Sequence, residues 1–274
     1  MSNEVKIKFK FDGGDADEHK LDLYDAGVAI HGLARSLAIS LHAFLNDGEI
    51  RSKVNKIDGA TLYISPSRKG SWEEIITIVV GSAMANNIGQ SVLSNAIWDF
   101  IKYTFSRATN QPAEVPNNRY TKKLLKDAES FESDISMALE RPLEMMHRPL
   151  ASQSKMKITI TKNQTEEKIE FTQETLNYVT TNEEPKLAEG INGHVTRYNI
   201  LTGNGRFYDD SINKIIPFSL DQDMPENDKK LLTQSMDRRI KELEGNGKIK
   251  IDANRIVNKA RQTKRYVIVS VHAN

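Results

Sequence analysis

The sequence predicts an α+β protein in two parts: an N-terminal α+β domain over residues 1–150 and a small β-barrel domain over residues 151–274. Three observations carry that prediction. The first half opens on a clean two-residue alternation at 5–11 and continues with long apolar-periodic segments near 21–45, 87–107 and 120–146, which read as helices. Between Arg148 and Ser154 the chain turns polar and proline-bearing, as linkers do. Beyond that point the pattern changes to short alternating segments. Their order of three strands, a helix and two strands is that of an OB-type barrel.

Each element has its own signals. Val5, Ile7, Phe9 and Phe11 alternate with lysines, and Gly13-Gly14 ends the strand. The next helix has Asp22 and Asp25 in its first turn, where negative charge suits the exposed amides, and Asp47-Gly48 stops it. Its apolar residues, including Leu23, Ile30, Leu33, Leu37, Leu41 and Phe44, cover more than one face. Segments 51–57 and 60–65 read as a hairpin about Asp58-Gly59. From Ile75 to Trp98 no residue is charged, a length that could span a bilayer. However, Asn86, Asn87, Gln90 and Asn95 would place amides in hydrocarbon, so a buried strand at 75–80 and a helix from about 87 to 107 are expected instead. A linker at 110–118 precedes the third helix, which Pro142 should end or kink. In the second half a hairpin at 155–161 and 167–172 is followed by strands at 192–199, 205–209, 214–220, 248–251 and 266–272. A helix at 228–243, closed by Gly245-Asn-Gly247, sits between the third and fourth of these.

Composition narrows the function. Lysine and arginine nearly cancel aspartate and glutamate, leaving a net charge of +1, so any nucleic-acid affinity must come from a local patch. With no cysteine there is no disulfide, thiolate metal site or cysteine nucleophile. The alternating N-terminus lacks the apolar run of a signal peptide and points to a cytoplasmic protein. No GxSxG, Walker A or GxGxxG motif is present, and no enzyme activity, cofactor or bound metal is expected. The acidic stretch Asp12, Asp15, Asp17, Glu18 and His19, with Asp22 behind it, fits no EF-hand spacing and reads as a turn before a helix.

Two groups of residues stand out as binding candidates. Gly32, Ser36 and Ser40 form a small-residue stripe at spacing four, and Gly81, Ala85 and Gly89 repeat it. Such stripes let helices approach closely, within a core or between subunits, and they make these six residues the candidates for self-association. Arg255, Lys259, Arg261, Lys264 and Arg265 form a run without an acid between the last two strands, where OB barrels carry a ligand-binding loop. With Arg197 and Arg206 on the neighbouring sheet, they could form a groove for phosphates or an acidic partner.

The segment carrying Gly193, Val195, Tyr198, Asn199, Gly203, Gly205 and Phe207 resembles the opening hairpin of cold-shock domains. That resemblance implies an OB-type nucleic-acid binder, but Arg197, Asn204 and Arg206 stand where the family presents stacking aromatics. The layout from Ala16 through Asp25 to Ser36, with Lys69-Gly-Ser-Trp72 later, resembles proteins of bacteria and their mobile elements, which implies a prophage or defence-island setting. The expectation is therefore a non-enzymatic interaction or assembly protein whose partner is itself or another protein. Electrostatic nucleic-acid binding through the barrel is the second reading, and membrane action through residues 75–98 is a third.

Overall fold

In a computed structural model, the structure describes residues 4–54, 56–65, 72–81, 90–125, 128–163, 165–184, 186–241, 247–259 and 261–273. The chain divides into two compact units, residues 1–180 and 181–274.

The first unit is built on a five-stranded antiparallel sheet in the order β2-β3-β1-β4-β5. Its strands are β1 (Glu4–Asp12), β2 (Ala60–Ser65), β3 (Glu73–Val80), β4 (Lys157–Lys162) and β5 (Lys168–Phe171). The alternation at the N-terminus sets the two faces of β1. Val5, Ile7, Phe9 and Phe11 are buried, while the lysines between them face outward, with Lys6 paired to Glu4 at 3.3 Å and Lys8 to Glu73 at 3.5 Å. The long helices α1 (Leu23–Leu45), α2 (Gln90–Ala108) and α4 (Ala128–Met146) share one apolar core with the inner face of the sheet, and the short α3 (Arg119–Leu124) precedes α4. Rings link the three long helices: Phe44 and Phe100 lie 5.3 Å apart, Phe100 and Phe131 5.9 Å. Asp22 caps α1 by accepting a 2.9 Å hydrogen bond from the Asp25 amide.

Several expectations change here. The described residues of 51–57 form no strand, and β2 pairs with β3 instead, from Ala60↔Val80 to Ser65↔Ile75. The third long helix is broken after Leu124, and its second part runs through Pro142 to Met146. The expected boundary at 150/151 lies inside the first unit. Arg148–Ser152 is a short helix, α5, with proline in its first turn, where a missing N–H costs nothing. β4 then pairs with β1 from Ile7↔Lys162 to Asp12↔Lys157, and Ile158, Ile160 and Phe171 enter the first core. α6 (Gln173–Val179), capped by Thr172, closes the unit.

The small-residue stripe belongs to the core. A methyl group on Gly32 would lie 2.6 Å from the Pro142 carbonyl oxygen and 2.9 Å from the Met145 carbonyl carbon, so this glycine lets α1 cross close over α4. Ser36 and Ser40 are fully buried; the Ser36 hydroxyl donates to the Gly32 carbonyl at 2.9 Å, and Ser40 meets Thr104 of α2 at 3.2 Å. The self-association role expected for Gly32, Ser36 and Ser40 is therefore replaced by helix packing within the unit. Gly81 ends β3, its amide donating to the Gly59 carbonyl at 2.8 Å, while Ala85 and Gly89 lie outside the described residues. Of the 75–98 stretch, the described residues contribute a strand paired on both sides and a helix whose Leu93, Ile97 and Trp98 are buried, so they do not form one continuous bilayer-length helix. Among the described residues, α1 is the helix long and apolar enough to cross a bilayer, and 67% of its most apolar window is buried.

The second unit is a closed barrel of β7 (Ala188–Asn199), β8 (Asn204–Asp209), β9 (Lys214–Leu220), β10 (Ile249–Asn258) and β11 (Thr263–Ala273). The circuit runs β7-β8-β9-β11-β10 and back to β7; β9 and β11 are parallel and the other neighbours antiparallel. This is the connectivity of an OB-type barrel, as the element order predicts. The short β6 (Thr181–Glu183) pairs with the end of β10. α7 (Glu226–Ile240) joins β9 to β10 and buries Leu232 in the barrel core with Val195, Phe207, Phe218, Ile251 and Ile268. Ser235 ties this helix down, accepting from the Val195 amide at 3.0 Å and donating to the Gly247 carbonyl at 2.5 Å. Inside the barrel the Tyr266 hydroxyl donates to Asp209 at 2.6 Å. Burial and the adjacent carboxylate hold that phenol well above its ordinary range.

Candidate functional site

The barrel carries the cations expected to form a groove, and it separates them. The run from 255 to 265 is mostly strand rather than loop, because β10 extends to Asn258 and β11 begins at Thr263. Arg255 is committed to Glu184. Its Nε reaches the carboxylate at 2.7 Å, and its own carbonyl accepts from the Glu184 amide at 2.9 Å, so the pair clamps the end of β6 to β10. Arg206 on β8 is only 6% exposed, which withdraws it from any surface groove. Arg197, Arg206, Lys264 and Arg265 are each engaged by neighbouring groups. Lys259 and Arg261 remain exposed at the β10–β11 turn and make no ion pair among the described residues. The turn is shaped by its flanks: the Gln262 amide donates to Asn258 Oδ1 at 3.0 Å, and Asn258 Nδ2 to Gln262 Oε1 at 2.8 Å. Arg261 takes the left-handed conformation, with φ 60°.

The hairpin that resembles cold-shock domains is present as β7 and β8, from Gly193↔Asp209 to Asn199↔Asn204. Its aromatic residues serve the fold. Phe207 is fully buried, and Tyr198 stacks on Phe218 at 6.1 Å. Gly205 is needed for close approach: a methyl there would stand 2.5 Å from the Arg197 carbonyl oxygen and closer still to the Phe218 ring. The tip of the hairpin is a different matter. Asn199 organises it, with Oδ1 accepting from the Leu201 amide at 3.0 Å and its carbonyl from the Gly203 amide at 2.9 Å. This ordered turn holds Ile200 at 72% and Leu201 at 95% exposure. Sequence reasoning missed this pair, which falls between the strands expected at 192–199 and 205–209; two adjacent branched aliphatics in a polar turn were the available signal.

One constellation has the residue types of a hydrolase triad. Asp252 Oδ2 receives Ser270 Oγ at 2.7 Å and His272 Nε2 at 2.8 Å, and Ser270 Oγ lies 3.3 Å from the same Nε2. The Gly190 amide donates to Asp252 Oδ1 at 2.7 Å. Burial pushes the Asp252 carboxyl up, but the hydrogen bonds from Ser270, His272 and Gly190 outweigh it and hold the carboxyl below its ordinary value. The geometry does not suit proton relay, because one imidazole nitrogen faces both partners, whereas a triad needs one nitrogen for the carboxylate and the other for the serine. The cluster fastens β11 to β10 and the start of β7.

The acidic segment near the N-terminus is likewise spent on structure. Asp17 accepts from the Gly13 amide at 2.8 Å, Asp15 from Gln153 Nε2 at 3.0 Å, Asp12 pairs with Lys10, and Asp22 caps α1. Among the described residues, no group of three histidine or carboxylate side chains converges on a metal position.

Two family models match the chain. Domain of unknown function (DUF7946) matches residues 7–180, and family of unknown function (DUF7947) matches residues 188–272. The division between them falls where the two compact units meet in sequence, at 180/181. No curated protein and no solved structure matches.

Proposed function

We propose that this chain, which belongs to the DUF7946 family, is a non-enzymatic interaction protein whose barrel docks a partner protein, another protein or a second copy of this chain, through the tip of its first hairpin. The observation that carries the reading is the exposure of Ile200 and Leu201 on a turn whose shape Asn199 holds. A side chain of this kind is worth about 1.5–3 kcal/mol when fully buried, so two on a preformed turn make an anchor with little ordering cost. Adjacent aliphatics inserted into a partner's pocket have the character of interface hot spots. Nucleic-acid binding is the second reading and rests on Lys259 and Arg261 at the β10–β11 turn.

Affinity purification of the full chain from its host, with mass spectrometry and nucleic-acid detection, tests this beside Ile200→Ser/Leu201→Ser. Sedimentation velocity on both proteins reads self-association. A partner protein, or a dimer, should be lost at least tenfold in the variant while the melting temperature holds. Identical partners and oligomeric state in the two proteins would remove the hairpin tip from the interface. Nucleic acid retained equally by both would favour the second reading.

A further inference from the structure

The first unit contains a cleft of about 750 Å³ between α1 and the chain that leads into β2. That volume lies in the range of small-molecule sites, roughly 300–1,000 Å³. One wall is a single stripe of α1, because His31, Ala34, Arg35 and Ala38 recur at the three- and four-residue spacing of one helix face. The two alanines leave the space that larger residues would fill. The opposite wall brings Val54, Ile57 and Leu62 as an apolar lining, with Lys53 and Lys56 at the exposed rim.

The charges of this cleft are all of one sign. Several lysines elsewhere in the unit are matched: Lys8 with Glu73, Lys102 with Glu167, Lys123 with Asp47 and Lys157 with Glu170. Around the cleft Arg35, Lys53 and Lys56 bring three positive charges beside the imidazole of His31, and no carboxylate among the described residues lines it. None of these four residues makes an ion pair among the described residues. Glu49, the acid nearest in sequence to Lys53, is occupied by Arg51 at 2.9 Å. Arg35 is held in place by the Ser52 carbonyl at 3.4 Å, which also pins the rim segment to α1.

We infer that this cleft binds a nucleotide: the three cations and His31 take the phosphates, and the apolar walls take the base. Arginine and lysine are the usual phosphate ligands, and an apolar slot beside them gives a planar ring a place out of water. The inference is independent of the hairpin tip on the barrel, and neither site needs the other to function.

The test is isothermal titration calorimetry of the full chain with AMP, ADP, GMP and inorganic phosphate. At least one nucleotide should give saturable heat and bind at least tenfold tighter than inorganic phosphate. Lys53→Glu/Lys56→Glu should weaken that binding at least tenfold with the melting temperature held, because both side chains are exposed. Ala38→Leu, which fills the cleft from the α1 wall, should block it; should that variant lose stability, the rim variant alone decides. No saturable heat from any nucleotide overturns the inference, as does nucleotide binding that the rim variant leaves intact. Phosphate binding as tight as any nucleotide would reduce the cleft to an anion site and overturn the role of its apolar walls.

Discussion

The imidazole of His147 is wholly buried, yet both of its nitrogens are satisfied. Nδ1 lies 2.6 Å from the Leu143 carbonyl, which can only accept, so Nδ1 carries the proton. Nε2 must then accept, and the Thr175 hydroxyl at 2.8 Å is its donor. Thr175 in turn accepts from the Thr172 amide at 2.8 Å, so the cap of α6 and the end of α4 share one network built on neutral histidine. Burial outweighs the help of the Leu143 carbonyl and lowers the His147 pKa from 6.5 to about 4. The sign follows directly. Below pH 6.5 the unfolded chain takes up a proton that the folded chain refuses, so stability falls with pH until the folded group titrates near 4. A shift of this size corresponds to about 3 kcal/mol of stability lost across that window. Urea unfolding of the wild type and His147→Gln at pH 7 and pH 4.5 checks this: the variant should be weaker at pH 7 and lose less stability on acidification. Equal acid losses in the two proteins would show that His147 is not the group being titrated.

Helix α1 shows what a sequence can reveal about an element. Its start at Asp22 and its end before Asp47 follow from caps and breakers, which act locally. The destination of its small-residue stripe was not legible, because a small stripe suits a core crossing and a subunit interface equally well. The structure places Gly32 under Pro142 and Met146 of α4, and this makes a sharp prediction. Gly32→Ala should destabilise the first unit by roughly 1–3 kcal/mol through overpacking and leave the oligomeric state unchanged. Chemical denaturation and sedimentation velocity measure the two quantities; a stable variant with altered sedimentation would restore the interface reading. Other elements were obscured by physical causes. β10 and β11 looked shorter than they are because register shifts at Asp252/Ala253 and Ile256/Val257 break the two-residue alternation. Residues 51–57 alternate like a strand in sequence, but the described ones among them have no strand partner. The cation-lined cleft was invisible, since half of it is the outer stripe of α1 and half is that unpaired segment.

For the whole molecule, strand order carried the barrel correctly from sequence to structure, while the boundary between units did not follow from composition. A polar, proline-bearing stretch reads as a linker, but here the proline starts a helix and the chain returns to complete the first sheet. β4 is a central strand of that sheet, paired with β1 on one side and β5 on the other. Cutting at 150/151 would leave β1 with an open edge, strip Ile158, Ile160 and Phe171 from the first core, and remove the Thr175 partner of His147. A cut at 180/181 leaves the barrel its closed circuit of five strands and its own apolar core. Four fragments put this to the test by amide NMR dispersion and thermal melting. Residues 181–274 should give a dispersed spectrum and a cooperative melt, and residues 1–180 likewise. Residues 151–274 should show the same barrel spectrum with narrow, unfolded resonances added from β4, β5 and α6, because a two-stranded hairpin without its sheet is marginal in water. Residues 1–150 should be collapsed or aggregated. A cooperative melt from 1–150 matching that of 1–180 would return β4 and β5 to the barrel and move the boundary back to residue 150.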